Sequence, residues 1–478
     1  MNCKIWYLFI VCFTIAARQK LLAQQTNKPN IILIFADDLG YKDMGFTGSK
    51  VFETPNIDAL AKQGMIFNNA YAGAGNCAPS RACLLSGRYT PRHGVYAVGS
   101  TTRGPKKEMK VVPVPNTNYL ASSFVTVAEA LQQQGYATGL FGKWHLSSNK
   151  VKGTSPTEQG FNVFFDSRKE NPNIKRDKPK DPKGIYSLTD SAIAFMQRNQ
   201  HKPFFAFLSH HAIHSNIEAK PETIERFKKK GLDNKAALYA ACIFDLDESI
   251  GLLMAYLKRS GLDKNTLVIF TSDNGATQQS SQEPLRGNKG SYYEGGIREP
   301  FIAYWNGNIK PNTQNNTPII NIDLYPTFLA AAGNSSVKLD GENLLPLFTG
   351  KTITTKRSNL YWHFPGYLNE PVIRGRDSIF RTRPATVLRK GNWKIHLYYE
   401  EWLLNGGIKN IDKNNAVELY NLEEDEGERN NLALVNRKKR NELLNELLLW
   451  LKKEKVPQPV LIDKEHPLND SDGEADEN

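Results

Sequence analysis

The chain has 478 residues, of which 40% are hydrophobic, enough to bury a large core and to support a second domain. Its apolar stretch at 5–17 is too short to cross a bilayer and no later run is long enough, which excludes a transmembrane segment. A formal charge of +12 raises the local concentration of polyanions and favours an anionic partner.

Residues 1–23 have the layout of an export signal. Lys4 gives the positive start, the apolar stretch follows, and Leu21-Leu22-Ala23 forms a small-residue cleavage site before Gln24. Cys12 lies inside the apolar stretch without the small residues that a lipoprotein signal places before its cysteine. The mature chain is therefore expected to be soluble and exported. Removal of the signal takes away Lys4, Arg18 and Lys20, which lowers the charge to +9, and takes away Cys3 and Cys12. Cys77, Cys83 and Cys242 remain, so at least one cysteine is unpaired.

Through the mature chain, short apolar runs alternate with amphipathic helical patterns, the rhythm of an α/β domain with a mostly parallel sheet. The first strand is expected at 31–35, followed by a helix over 56–63 that Gly64 closes. A helix over 125–134, ended by Gly135, leads into a strand at 137–141. The densest basic run, Lys175-Arg176-Asp177-Lys178-Pro179-Lys180, is broken by proline and reads as a solvated loop. A helix over 189–198 leads into a strand at 203–208, and a longer helix over 237–259, stopped by Gly261, leads into a strand at 266–270. A strand at 300–305 and a helix over 323–332 complete a domain expected to span 24–347. The rhythm then changes. Residues 389–398 read as a hairpin, 417–422 as a strand and 438–453 as a Leu-rich helix, a smaller α+β domain over 348–465. The acidic tail, 466–478, has almost no apolar content and is expected to be disordered.

In open parallel sheets, ligands bind beyond the carboxyl ends of the strands. Here those ends carry Asp37-Asp38, Gly142-Lys143-Trp144-His145, His210-His211-Ala212-Ile213-His214 and Asp273-Asn274-Gly275. If the strands are neighbours, one crevice gathers carboxylates, an amide, a lysine and several histidines. Asp37, Asp38, Asp273 and Asn274 offer only oxygen donors, a hard set that favours Ca2+ or Mg2+ over Zn2+. Each pair alone would serve equally well as a cap or a turn; their recurrence at equivalent strand ends favours ligands. A lysine there suits an anion as a point charge, and a histidine suits proton transfer. One of His210 and His211 is expected to be structural, because neighbours on a strand point opposite ways.

Residues 77–88 read Cys77-Ala78-Pro79-Ser80-Arg81-Ala82-Cys83-Leu84-Leu85-Ser86-Gly87-Arg88. A buried thiol near a turn could leave a single Cys-x-Pro. The full dozen resembles the pattern by which type I sulfatases mark a cysteine for oxidation to formylglycine. The resemblance extends over nearly the whole mature chain. Residues 30–38 look like that family's opening strand with its metal aspartates, and Gly142-Lys143-Trp144-His145 like its lysine and histidine pair. His211-Ala212-Ile213-His214 resembles its H-x-P-H segment. Leu285-Arg286-Gly287-Asn288-Lys289-Gly290, continuing to Arg298, resembles its late lysine loop. Two departures are visible: Ile213 stands where proline is common, and Ser86 where threonine is common.

The resemblance implies an alkaline-phosphatase-like α/β fold, one calcium ion held by Asp37, Asp38, Asp273, Asn274 and residue 77, and hydrolysis of sulfate esters. It further implies that Arg81 holds the aldehyde made from Cys77, that Lys143 and Lys289 bind the sulfate, that His214 protonates the leaving alcohol and that His145 assists release. An enzyme that generates formylglycine would act on the chain during maturation, and Cys83 and Cys242 could then pair or stay as buried thiols. The expected substrate is a sulfated glycan, not nucleic acid, with algal polymers such as ulvan or carrageenan ahead of animal glycosaminoglycans. Abundant Lys, Asn and Ile suggest a bacterium, and the signal suggests the periplasm or secretion from a Gram-negative cell. Tyr361-Trp362-His363-Phe364-Pro365 and Arg383 are candidates for sugar contacts, His363 foremost. Two rivals stand beside this reading. A phosphatase or phosphodiesterase of the same superfamily would use Ser or Thr, two zinc ions and Asp-His-Gly where this chain has Asp273-Asn274-Gly275. A non-catalytic polyanion-binding protein would leave Cys77 as a thiol.

Overall fold

The computed structural model describes residues 28–168, 176–334 and 338–468; the export signal expected at 1–23, Lys175 and the tail from 469 lie outside the described residues. The main sheet has eight strands: β1 (Asn30–Ala36), β2 (Met65–Phe67), β3 (Ala137–Gly142), β4 (Val163–Phe165), β5 (Phe204–Ser209), β6 (Thr266–Ser272), β7 (Ile302–Trp305) and β8 (Thr313–Asn315). Their order is β8-β2-β7-β6-β1-β5-β3-β4. The five from β6 to β4 run parallel, and β7 runs antiparallel to both of its neighbours.

Every residue of β1 is buried, as a strand covered on both faces requires. Ile31, Leu33 and Phe35 pack into the core on one side, and Ile32, Ile34 and Ala36 into the core on the other. Helices α1 (Cys77–Ser86), α2 (Val127–Gln133) and α5 (Leu324–Ala331) contribute to the first core, and α3 (Ile185–Arg198) and α4 (Asn234–Ser260) to the second. The longest, α4, is capped by Asp233, whose side chain accepts from the amides of Lys235 and Ala236, and it stops at the left-handed Gly261. It lays Tyr239, Cys242, Leu246, Ile250 and Leu253 on the sheet at steps of three and four. Each large apolar side chain buried this way contributes about 1.5–3 kcal/mol.

Toward the C-terminus the chain builds a second, antiparallel sheet, in the order β9 (Asn359–Phe364), β10 (Ala385–Lys390), β11 (Trp393–Tyr398) and β12 (Val417–Asn421). Helix α6 (Arg437–Lys453) packs on it through Leu443, Leu444, Leu447 and Leu451. The hairpin expected at 389–398 is thus β10 and β11, and β10 begins four residues earlier, at Ala385. No helix among the described residues is long and apolar enough to cross a membrane. Cys83 and Cys242 are free, buried thiols.

Candidate active site

Strands β6, β1, β5 and β3 are consecutive neighbours in the sheet, so their carboxyl ends, the four sites of chemically capable residues, open at one place. Backbone bonds stitch the loops that follow. Asp37 N donates to Ala212 O at 2.8 Å, Ile213 N to Asp37 O at 2.7 Å, Asp273 N to Ala36 O at 3.2 Å and Lys143 N to Ser209 O at 2.8 Å. Two glycines permit this closeness. A Cβ on Gly142 would lie 1.9 Å from Ser209 O, and one on Gly275 would lie 2.1 Å from Gly295 O.

Cys77 enters as the first residue of α1, a helix whose ten residues are all buried. Arg81 follows it by four positions and so lies on the same helical face. The Cys77 Sγ is 3.4 Å from Asp37 Oδ1 and 3.7 Å from Asp38 Oδ1. One donor atom each from Asp37, Asp38, Cys77 and Asp273 lies within 4.8 Å of the others, all four residues being buried. Arg81 binds Asp273 Oδ2 through Nε at 3.1 Å and Nη2 at 2.8 Å, while its Nη1 donates to Lys143 O at 3.0 Å and to Ser209 Oγ. Lys143 Nζ sits 2.7 Å from Asp37 Oδ2, and Lys289 Nζ 2.8 Å from Asp38 Oδ2. Asn274 Nδ2 donates to Asp38 Oδ1 at 2.8 Å, leaving the buried Asn274 Oδ1 with no partner among the described residues. A hard donor set with an orphaned amide oxygen at its edge fits a divalent cation of the Ca2+ or Mg2+ type.

Three carboxylates therefore face three cationic side chains. A divalent ion added to that balanced set leaves a net positive site, suited to a singly charged ester that gains charge as it breaks. Burial alone raises the Asp37 carboxyl, but Lys143 and Arg81 outweigh it and hold Asp37 well below the usual carboxylate range. Burial, with Asp37 alongside, pushes Asp273 up to about 7 against the pull of Arg81. The Cys77 thiol is pushed up by burial and by Asp273, which makes it a poor thiolate nucleophile.

The four histidines lie just beyond the ends of β3 and β5, in different surroundings. His145, in a left-handed backbone position, has a buried Nδ1 without a partner among the described residues. Burial, then Lys143 and Arg81, lower its pKa well below the usual imidazole range. His214 bonds Ser215 O through Nδ1 at 2.6 Å and points Nε2 at Asp38 Oδ2, 3.8 Å away. Burial lowers its pKa against the opposing pull of Asp37 and Asp38. His211 is held by Asp166 Oδ1 at 2.8 Å, and His210 is buried with both ring nitrogens unpartnered among the described residues.

The expectation for the aromatic run fails on packing grounds. His363 lies in β9 with Nδ1 bonded to Thr386 Oγ1 and Nε2 to Pro457 O, each at 2.8 Å, so it has no atom left for a sugar. Trp362 Nε1 donates to Ala72 O, Tyr361 stacks on Trp450, and Arg383 is paired with Asp377 and Glu400. The alternating strand pattern around His363 is a core signature, and it outweighs the aromatic composition. From the C-terminal part of the chain Arg381 reaches Lys289, its Nη1 donating to Lys289 O at 3.3 Å. Ser209 and Asp166, which the motifs do not single out, tie Arg81 and His211 in place.

Fold and site together define a hydrolase of anionic esters. The sulfatase family pattern matches residues 29–334, and the pattern of the N-sulphoglucosamine sulphohydrolase C-terminal region matches 288–456. The chain is 32% identical to a sulfatase of Formosa agariphila over 94% of both chains. It is 33% identical to human arylsulfatase A over 77% of this chain and 75% of that one. Among solved structures, Ps i-CgsB in complex with k-i-k-neocarrahexaose superposes with a TM-score of 0.71 at 27% identity, covering 93% of this chain and 96% of that one. The chain belongs to the sulfatase family, hydrolases of sulfate esters.

Proposed function

We propose that the protein is a calcium-dependent sulfatase that removes sulfate from a sulfated algal polysaccharide or its oligosaccharides, of the carrageenan or ulvan type, through a formylglycine made from Cys77. The observation that carries this reading is the buried meeting of Asp37, Asp38, Cys77 and Asp273 with Arg81 and two lysines. The hard oxygen donors favour calcium over zinc, and the likeness to a structure solved with a neocarrahexaose favours a sulfated galactan. Formylglycine, once hydrated, supplies one hydroxyl to attack sulfur and a second whose deprotonation lets sulfate depart. A divalent ion held by Asp37, Asp38, Asp273 and Asn274 would orient that group and offset charge.

The chain's own side chains do the rest. Arg81, fixed by Asp273, holds residue 77 in register. Lys143 and Lys289 bind the sulfuryl oxygens, in exchange for the aspartates they touch. His214 Nδ1–H is committed to Ser215 O, so its Nε2 is the atom that delivers a proton to the leaving alcohol. His145, held neutral, accepts a proton in the release step. The unmodified thiol, pushed up by burial, suits the phosphatase rival poorly. The proposal includes export of the chain after cleavage of residues 1–23 to the periplasm or the medium, maturation by a formylglycine-generating enzyme, and division into units 24–347 and 348–465.

The test is sulfate release from a panel of sulfated oligosaccharides by the matured protein, with and without a calcium chelator. Release from carrageenan or ulvan fragments that stops on chelation supports the proposal. Release that is indifferent to chelation contradicts the calcium assignment, and release confined to glycosaminoglycan fragments contradicts the algal one.

A further inference from the structure

Lys183 lies in the turn Pro182–Gly184 that leads into α3, and it is only 3% exposed. Lysine is almost never buried without a partner, because burial strips the ammonium of its hydration. Elsewhere in this protein the buried Lys394 obeys that rule with two carboxylates, Glu294 and Glu428. Lys183 does not. Its Nζ donates to His214 O at 2.7 Å and to Asn216 O at 2.9 Å, and no carboxylate among the described residues forms an ion pair with it.

These two carbonyls flank a third, Ser215 O, which accepts the His214 Nδ1–H at 2.6 Å. A carbonyl can only accept, so this bond fixes the proton on Nδ1 and makes Nε2 the exchanging atom, the one that faces Asp38. The turn that carries Lys183 is itself locked to the same loop. Lys183 N donates to Glu218 Oε2 at 2.7 Å, and Arg176 Nη1 bonds that oxygen at 2.8 Å and Asp181 O at 3.0 Å.

We infer that Lys183 is a positioning residue for His214: a buried ammonium that clamps the carbonyls on either side of the one that sets the ring's tautomer and aim. The inference rests on the proposed role of His214 as the leaving-group acid, and it deepens that role. A desolvated cation held by two neutral carbonyls is a costly way to shape a loop, and the loop it shapes carries the proton donor. Among the described residues Lys183 forms no hydrogen bond or ion pair with the cluster at Cys77 or its lysines, so its effect on proton delivery to the leaving group should pass through His214.

That restriction gives the test. The matured wild type, His214→Ala, Lys183→Met and the double variant are compared on 4-nitrophenyl sulfate and phenyl sulfate. 4-Nitrophenolate departs without a proton, whereas phenolate is helped by one. His214→Ala and Lys183→Met should each lose about tenfold or more in kcat on phenyl sulfate relative to 4-nitrophenyl sulfate. Lys183→Met should add no further leaving-group dependence once His214 is gone. If His214→Ala is selective and Lys183→Met is not, the inference is overturned while the acid role stands. If His214→Ala is itself unselective, the acid role fails and the inference with it. The crystal structure of Lys183→Gln keeps the question decidable should Lys183→Met fold poorly or the aryl esters turn over too slowly. A His214 ring displaced from its place beside Asp38 supports the inference, and an unmoved ring overturns it.

Discussion

At the strand ends, Asp37, Asp38 and Asp273 face Arg81, Lys143 and Lys289, yet Asn274 Oδ1 and His145 Nδ1 are left without partners among the described residues. Where the C-terminal sheet meets Tyr71 and Glu294, Lys394 sits 2.9 Å from Glu294 and 3.0 Å from Glu428, Tyr71 donates to Glu294 at 2.7 Å, and Glu294 N donates to Glu428 at 2.6 Å. Both regions bury several charges. The carboxylate oxygens are engaged in both, but in the first an amide oxygen and a ring nitrogen are not, so that network is open. A closed network fastens the fold; an open one, with cations beside unsatisfied acceptors, is built to receive something. The two are connected, because Glu294 stands five residues after Lys289 and anchors the end of its loop.

Four substitutions separate the two kinds of burial, beginning with the largest effect. Cys77→Ala should lower sulfate release by about four orders of magnitude or more, as loss of a nucleophile does, while the circular dichroism spectrum stays that of the wild type. Asp273→Asn should weaken binding of the proposed calcium ion by more than about 100-fold in a calorimetric titration, since even outer-shell partners of a metal cost about 10–100-fold. Lys394→Met should act on stability, losing about 3–5 kcal/mol in urea denaturation, because it strands two buried carboxylates. A Lys394→Met protein that unfolds like the wild type would erase the distinction between the regions. Tyr71→Phe removes one hydrogen bond to the same closed network and should cost about 1.5–3 kcal/mol by the same measurement.

The sheet and the metal-type cluster were legible because their signals are local. Apolar runs such as Ile31 to Phe35 announce buried parallel strands, and each is followed at once by its polar pair. Helix α1 was not legible from periodicity, since all ten of its residues are buried and no polar face marks it. The short strands β2, β4 and β8, three residues each, carry too little pattern to register. His363 misled because an aromatic-rich strand has the same composition whether it lines a sugar site or a core. Lys183 was out of reach for a different reason. Its partners are carbonyls 31 and 33 residues away, which leave no trace in side-chain identity.

The claim on which all of this turns is that residue 77 is a precursor, a cysteine placed among carboxylates and cations so that its oxidised form can work there. Peptide mapping by mass spectrometry across residues 77–88 of protein purified from its native cell tests that claim directly. The account predicts an aldehyde at position 77 in active material. An unmodified thiol at position 77 in protein that still releases sulfate would contradict it.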